Sequence, residues 1–164
     1  MTLTQIGIIH TPFTSAAGTP IQPSAAAGAI GTVEVFDAYA AGLLDLEGFD
    51  RIWLLYWFDR TSAPKLRVVP YKDDREHGLF ATRAPCRPTP IGMSAVRLVS
   101  IEGTTIRIAD ADMLDGTPLV DIKPYVPSFD VYPVSRCGWI DRASDNTIAD
   151  DRFEQNRNRT GKKP

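Results

Sequence analysis

The sequence is short of the residues from which metal centres are made. Its 164 residues include two histidines and two cysteines. His10 and His77 stand far apart and Cys86 and Cys137 are each alone, so no zinc or haem spacing can be composed and no metal is expected. Cys86 reads as an inert side chain. Long apolar runs are missing too: the longest, residues 52–58, is far too short to cross a bilayer, so no membrane segment is expected. The chain opens without a basic stretch followed by an apolar one, and with so few cysteines the expectation is a reduced, cytoplasmic protein. No glycine-flanked serine marks a nucleophile elbow, since Ser94 lies between Met93 and Ala95. There is no phosphate-cradling loop of the Walker type, and Gly28 and Gly31 follow a loop rather than a strand, which removes the dinucleotide-binding reading. Charge of either sign is not in excess: Lys+Arg of 18 against Asp+Glu of 20 leaves −2. A nucleic acid would therefore have to be met by a local basic patch rather than by overall charge.

What is present suits one β-rich domain. With 43% hydrophobic residues the chain can bury a core of its own. Residues 6–10 form a short β-type run stopped at Pro12, and residues 13–28 read as a long loop. In residues 31–36 Val33 and Val35 share one face of a second strand. Asp37 is placed to cap a short helix with Tyr39, Leu43 and Leu44 on one face, ending near Gly48. Residues 51–59 (RIWLLYWFD), apolar with almost no alternation, predict a central strand covered on both faces, with Trp53, Tyr56 and Trp57 in core or interface. Residues 61–77 read as an exposed loop with a short strand around Leu66 to Val69. Residues 95–101 and 104–109 flank Glu102-Gly103 as a tight hairpin with Ile106 and Ile108 inward. The expected class is mainly β, a small single-domain β-barrel with one short helix and long loops over residues 1–140. A polar, partly basic tail over 141–164 follows, with its end disordered.

Two loops carry the chemistry. Residues 78–94 (GLFATRAPCRPTPIGMS) hold Arg83 and Arg87 among Pro85, Pro88 and Pro90, and three prolines in so short a span predict a stiff, extended segment. Such a loop loses little entropy when its guanidinium groups meet a carboxylate, a phosphate or an aromatic face. Residues 110–118 (DADMLDGTP) are acidic and turn-rich, and Asp59 ends the apolar strand where a ligand can reach it. A cationic loop facing an acidic one suits a zwitterionic ligand with an amino-acid or adenosine end.

Four ordered motifs sharpen this. GIIHTPF at 7–13, LEGFDRIWLLYWF at 46–58, the arginine loop at 78–94 and DGTPLVDIKPYVPSFD at 115–130 together resemble the TsaA/TrmO-like family, over roughly the first 140 residues. The resemblance implies a β-barrel methyltransferase that uses S-adenosylmethionine, works as a homodimer, and methylates N6 of the threonylcarbamoyl-modified adenosine at position 37 of tRNA. Carried over by position, it implies cofactor contacts at Gln22, Pro23, Phe58, Asp59, Arg83, Met93, Asp112, Leu114, Gly116 and Thr117. Two positions depart from the family: Thr89 stands where asparagine is usual, and Asp59 where bacterial relatives have histidine. An exocyclic adenine nitrogen is a poor nucleophile, so a carboxylate that takes its proton would help, and Asp59 and Asp112 are the candidates. Arg87 suits a tRNA phosphate, or else bonds to carbonyls of its own loop. The aromatic strand predicts a dimer interface at or beside it. Two other readings stand beside tRNA methylation: an S-adenosylmethionine enzyme acting on a small molecule, and a cofactor-binding regulatory module without turnover.

Overall fold

The computed structural model describes residues 2–154. Six strands close into one antiparallel barrel: β1 (Gly7–His10), β2 (Ile30–Val35), β3 (Arg51–Trp57), β6 (Ile91–Glu102), β7 (Thr105–Ala109) and β8 (Thr117–Pro124), in the order β1-β2-β7-β6-β3-β8, with β8 also paired to β1. A separate two-stranded ribbon pairs β4 (Arg67–Val68) with β5 (His77–Gly78). Closure leaves the barrel no free edge and gives each long strand an inner and an outer face. The inner set, Ile9, Val33, Val35, Ile52, Leu54, Val96, Ile106, Ile108 and Leu119, is buried as one core. The hairpin turns at Gly103-Thr104, where Gly103 takes φ +61°, one residue later than the sequence suggests, because Glu102 still pairs with Thr105.

Three expectations are corrected. Strand β3 is covered on one side only: Ile52, Leu54 and Tyr56 point inward and are buried, while Trp53, Leu55 and Trp57 are half-exposed outside. The alternation is real but hidden in the sequence, because both faces carry large apolar residues. The helix over Asp37–Leu43 is a 3₁₀ segment in which Asp37 is its first residue and makes no capping bond; Leu43 is buried, whereas Leu44 is 81% exposed. The turn ends at Leu43, and Leu44, with ψ 130°, has already left it, which carries its side chain away from the core. Finally, the arginine loop is shorter than it reads: it begins with a 3₁₀ turn at Leu79–Ala81, and Ile91 already starts β6.

A second, smaller core lies outside the barrel. Val68, Leu79, Ala84, Cys86 and Phe153 are buried together with Tyr71 against them, and the Tyr71 and Phe153 rings meet edge to face at 5.2 Å. Buried Cys86 is thus a packing residue that anchors the arginine loop to this core. Of the segment expected as a polar tail from 141, the described part runs back across the molecule. Ile148 bridges Pro20, Glu154 bridges Thr61, and Ala149 and Thr19 are joined by an N–H to carbonyl bond of 2.8 Å. Arg152 clamps it: its guanidinium binds Asp150, donates to the Pro70 carbonyl at 2.9 Å and lies 5.2 Å over the Tyr71 ring. The end of the tail, expected to be disordered, lies outside the described residues. Among the described residues no helix is long and apolar enough to cross a membrane.

Candidate functional site

A cavity of about 330 Å³ opens at one mouth of the barrel, within the range of pockets that hold small ligands. Strand ends and the loop between β7 and β8 make its floor, and the remaining loops make its rim. On the floor stand Tyr56 from β3, Gly92 and Met93 from β6, and Asp112 and Met113 from the loop between β7 and β8. Gly92 is required there: a Cβ would lie 2.2 Å from a ring carbon of Tyr56, so the phenol occupies the space a side chain would need. The acidic loop is fixed from the other side of the barrel. Asp115 Oδ1 accepts from the Thr11 amide and faces His10 Nδ1, both at 3.2 Å; the Thr11 hydroxyl donates to the Met113 carbonyl at 2.7 Å, and the Gly116 amide to that of Ile9 at 2.8 Å.

Three polar side chains form a chain into the floor. The Tyr56 and Ser94 hydroxyls lie 3.0 Å apart, and the Ser94 hydroxyl donates to Asp112 Oδ1 at 2.6 Å. Tyr56 and Ser94 are almost wholly buried, and Asp112 is partly buried with the rest of its surface facing the cavity. Removal from water pushes the Asp112 carboxyl up to about 7, against the opposing pull of the Ser94 bond and the Arg83 charge. The same burial drives the Tyr56 phenol far above its ordinary value, so it stays protonated and acts only through its hydroxyl. A carboxyl poised near neutrality in a cavity can take up a proton during a reaction and release it afterwards.

At the rim Arg83 Nη1 donates to the Gln22 side-chain oxygen at 2.5 Å, joining the arginine loop to the first long loop. Asp59 lies at the mouth, its Oδ1 accepting from Arg60 Nε at 3.2 Å; Arg60 Nη2 in turn donates to the Thr117 hydroxyl at 3.2 Å. Gln22, Phe58, Asp59, Arg83, Met93, Asp112, Leu114 and Thr117, all singled out from the sequence, line this one cavity. Pro23 lines an adjoining groove that also touches Gln22, Arg83 and Met93, and Gly116 lines neither. At Gly116 φ is +74°, so its part is to turn the acidic loop. Arg87 lines the cavity wall but spends Nη1 on the carbonyls of Thr82 and Ala84, at 3.0 and 3.3 Å, while its guanidinium lies 5.7 Å from the exposed Phe80 ring.

Sequence reasoning missed three contributors. The sequence presents Tyr56 as core or interface, and Ser94 as a serine without the setting of a nucleophile. Their inward pairing positions, Tyr56 opposite Gly92 and Leu54 opposite Ser94, are the signal that could have found them: a serine on the inner face of a barrel strand needs a polar partner. The third is the wall made by Ala149, Phe153 and Glu154, which has no local sequence signal.

A family profile described as tRNA-methyltransferase O N-terminal domain matches residues 8–131. A probable S-adenosyl-L-methionine-binding protein of Pyrococcus abyssi is 55% identical over 137 residues, 84% of this chain and 74% of that protein. The tRNA (adenine(37)-N6)-methyltransferase of Escherichia coli is 34% identical over 139 residues, 79% of this chain and 59% of that enzyme. A crystal structure of TrmO from Pseudomonas aeruginosa superposes with a TM-score of 0.71 at 36% identity, covering 84% of this chain and 62% of that one. The chain thus spans about six tenths of these last two relatives.

Proposed function

The chain belongs to the tRNA-methyltransferase O N-terminal domain family, and from that premise we propose that it moves the methyl group of S-adenosylmethionine to N6 of threonylcarbamoyl-modified adenosine 37 in tRNA. Cofactor and reaction class stand with the family, whose members are named as S-adenosylmethionine-binding proteins and S-adenosylmethionine-dependent methyltransferases; the acceptor is the finer reading. The observation that carries it is Asp112, a carboxyl brought near neutrality on the floor of a cavity whose rim presents a cation.

The residues present fit the cofactor. Arg83, steadied by Gln22, would take the carboxylate of its amino-acid end, the carboxylate of Asp59 at the mouth suits ammonium or ribose hydroxyls, and Phe58, Met93 and Leu114 offer apolar wall. When bound, the cofactor supplies an electrophilic methyl on a sulfonium, whose bonding pair returns to sulfur as the new bond to nitrogen forms. This chain's task is to align the acceptor, exclude water and accept the proton that N6 sheds. Asp112 is the base in this reading. Asp59 is paired with Arg60 at the open mouth, so it is given to binding. Arg87 has one nitrogen tied to its own loop, and its part in holding tRNA falls to the remaining N–H groups beside exposed Phe80.

Incubating the protein with methyl-labelled cofactor and total RNA, then locating label by nucleoside mass spectrometry, tests the acceptor. Label on the modified adenosine is expected. Label only on small molecules, or cofactor binding with no transfer, would replace this reading with one of the two alternatives raised by the sequence. We also propose a homodimer that covers the half-exposed outer face of β3, working in the cytoplasm where tRNA is used. A stable monomer in sedimentation at micromolar concentration would remove the dimer.

A further inference from the structure

Tyr56 and Ser94 do more than fill the barrel. Among the described residues, the Tyr56 hydroxyl has one hydrogen-bond partner, Ser94, and it is buried. Its proton must therefore be given to Ser94 or go without an acceptor, and a buried donor left unsatisfied is costly. A serine hydroxyl has a single proton. If Ser94 accepts from Tyr56, its own proton is free to go to Asp112 Oδ1, the 2.6 Å contact observed. The direction is forced all along the line, from phenol to hydroxyl to carboxylate.

We propose that Tyr56 and Ser94 form a one-way hydrogen-bond chain that keeps Oδ1 of Asp112 an acceptor, and so reserves Oδ2 for the proton taken from the methyl acceptor. A proton on Oδ1 would have to be donated to Ser94, which would turn Ser94 toward Tyr56 and leave two hydroxyl protons facing each other. Oδ2 makes no hydrogen bond to another residue among the described residues, so it is the oxygen free for this purpose. Tyr56 and Ser94 are positioning residues: neither touches the reacting atoms. Their effect is to aim the base and to hold its midpoint below where burial alone would leave it. The other charged groups around the cavity are Arg83, whose field acts in the same direction, and Asp59, Arg60, Arg87 and Glu154 along mouth and wall.

This rests on Asp112 as the base but not on the identity of the acceptor, and the test separates them. In the cofactor-free protein with ¹³C-carboxyl aspartate, the Asp112 resonance, assigned by its loss in Asp112→Asn, is followed through a pH titration. Ser94→Ala should raise its midpoint by about one unit or more, and Tyr56→Phe, which keeps the ring, by less. Methyl transfer should shift in parallel: a one-unit rise costs roughly fivefold in rate at pH 7, recovered as pH is raised past the new midpoint. A loss in Ser94→Ala that is the same at every pH, or an Asp112 midpoint that moves in neither variant, would overturn the chain. A shifted midpoint in a protein that leaves tRNA unmethylated would support the chain and reject the acceptor.

Discussion

The floor and the rim of the cavity are built by different physics. The floor is carried on strands of a closed barrel and on the loop between β7 and β8: pairing register fixes Tyr56, Gly92 and Ser94, and a buried hydroxyl pair ties them to Oδ1 of Asp112. The rim is carried on loops held by prolines, a second core of five buried residues and a returning C-terminal segment, with Arg83 itself exposed. A site divided in this way can do proton chemistry on a buried floor and take the charged end of a ligand at an exposed rim.

The largest expected break in that contrast is Asp112→Asn. Loss of the proposed base should reduce turnover by about 10²–10⁴-fold with cofactor affinity nearly unchanged, as read by kinetics and calorimetry. The same change should stabilise the fold in a pH-dependent way. The folded carboxyl at about 7 lies above its ordinary 3.8, so the native state binds more protons between those values and loses stability as pH rises through them. The variant should therefore melt higher than wild type at pH 8, by roughly 2–4 °C for each kcal/mol recovered, and no higher below pH 4. A melting gain that is the same at both pH values would refute burial as the cause.

Next is Phe153→Ala, aimed at the rim. Truncating an aromatic that fills a small buried cluster should cost about 3 kcal/mol locally. Hydrogen exchange should show the arginine loop and the 143–154 segment losing protection while amides of β3, β6 and β8 keep theirs. Equal loss in the barrel strands would mean that floor and rim are one cooperative unit. The smallest effects are at single rim arginines. Arg83→Ala should weaken cofactor binding by roughly 1.5–3 kcal/mol, toward the lower figure because the side chain is exposed, and leave melting unchanged, since among the described residues its one hydrogen bond runs to Gln22. Arg87→Ala should do the reverse: it removes the donor to the Thr82 and Ala84 carbonyls and should lower stability by about 1 kcal/mol, with cofactor affinity spared. Matching losses of affinity in both would erase the distinction drawn between them.

How much of this was legible follows the same division. Strands with one polar face, such as β2 and β7, announce themselves by alternation, and the hairpin by its glycine; the loops that line the cavity stood out through proline, arginine and aspartate. Strand β3 did not, because Trp53, Leu55 and Trp57 on its outer face are as apolar as the residues inside. Ser94 was invisible for the opposite reason: a serine means nothing until pairing with β3 shows which way it points. The returning wall was illegible in principle. Phe153 is one aromatic in a polar stretch, and its burial depends on Val68, Leu79 and Cys86, all more than sixty residues away in sequence.

Barrel closure has a consequence in time as well as space. Strand β8 pairs with β1 at Gly7 and Leu119, a separation of 119 − 7 = 112 residues, and also with β3 on its other side. Contacts so distant along the chain are slow to form, which puts this fold among those that take milliseconds to seconds rather than microseconds. Asp112 lies just before β8, and its carboxyl is tied to Ser94 of β6 and through it to Tyr56 of β3, partners that only the folded barrel brings to it. An unfolded chain has an ordinary acid at position 112, and the carboxyl raised toward neutrality belongs to the closed barrel alone.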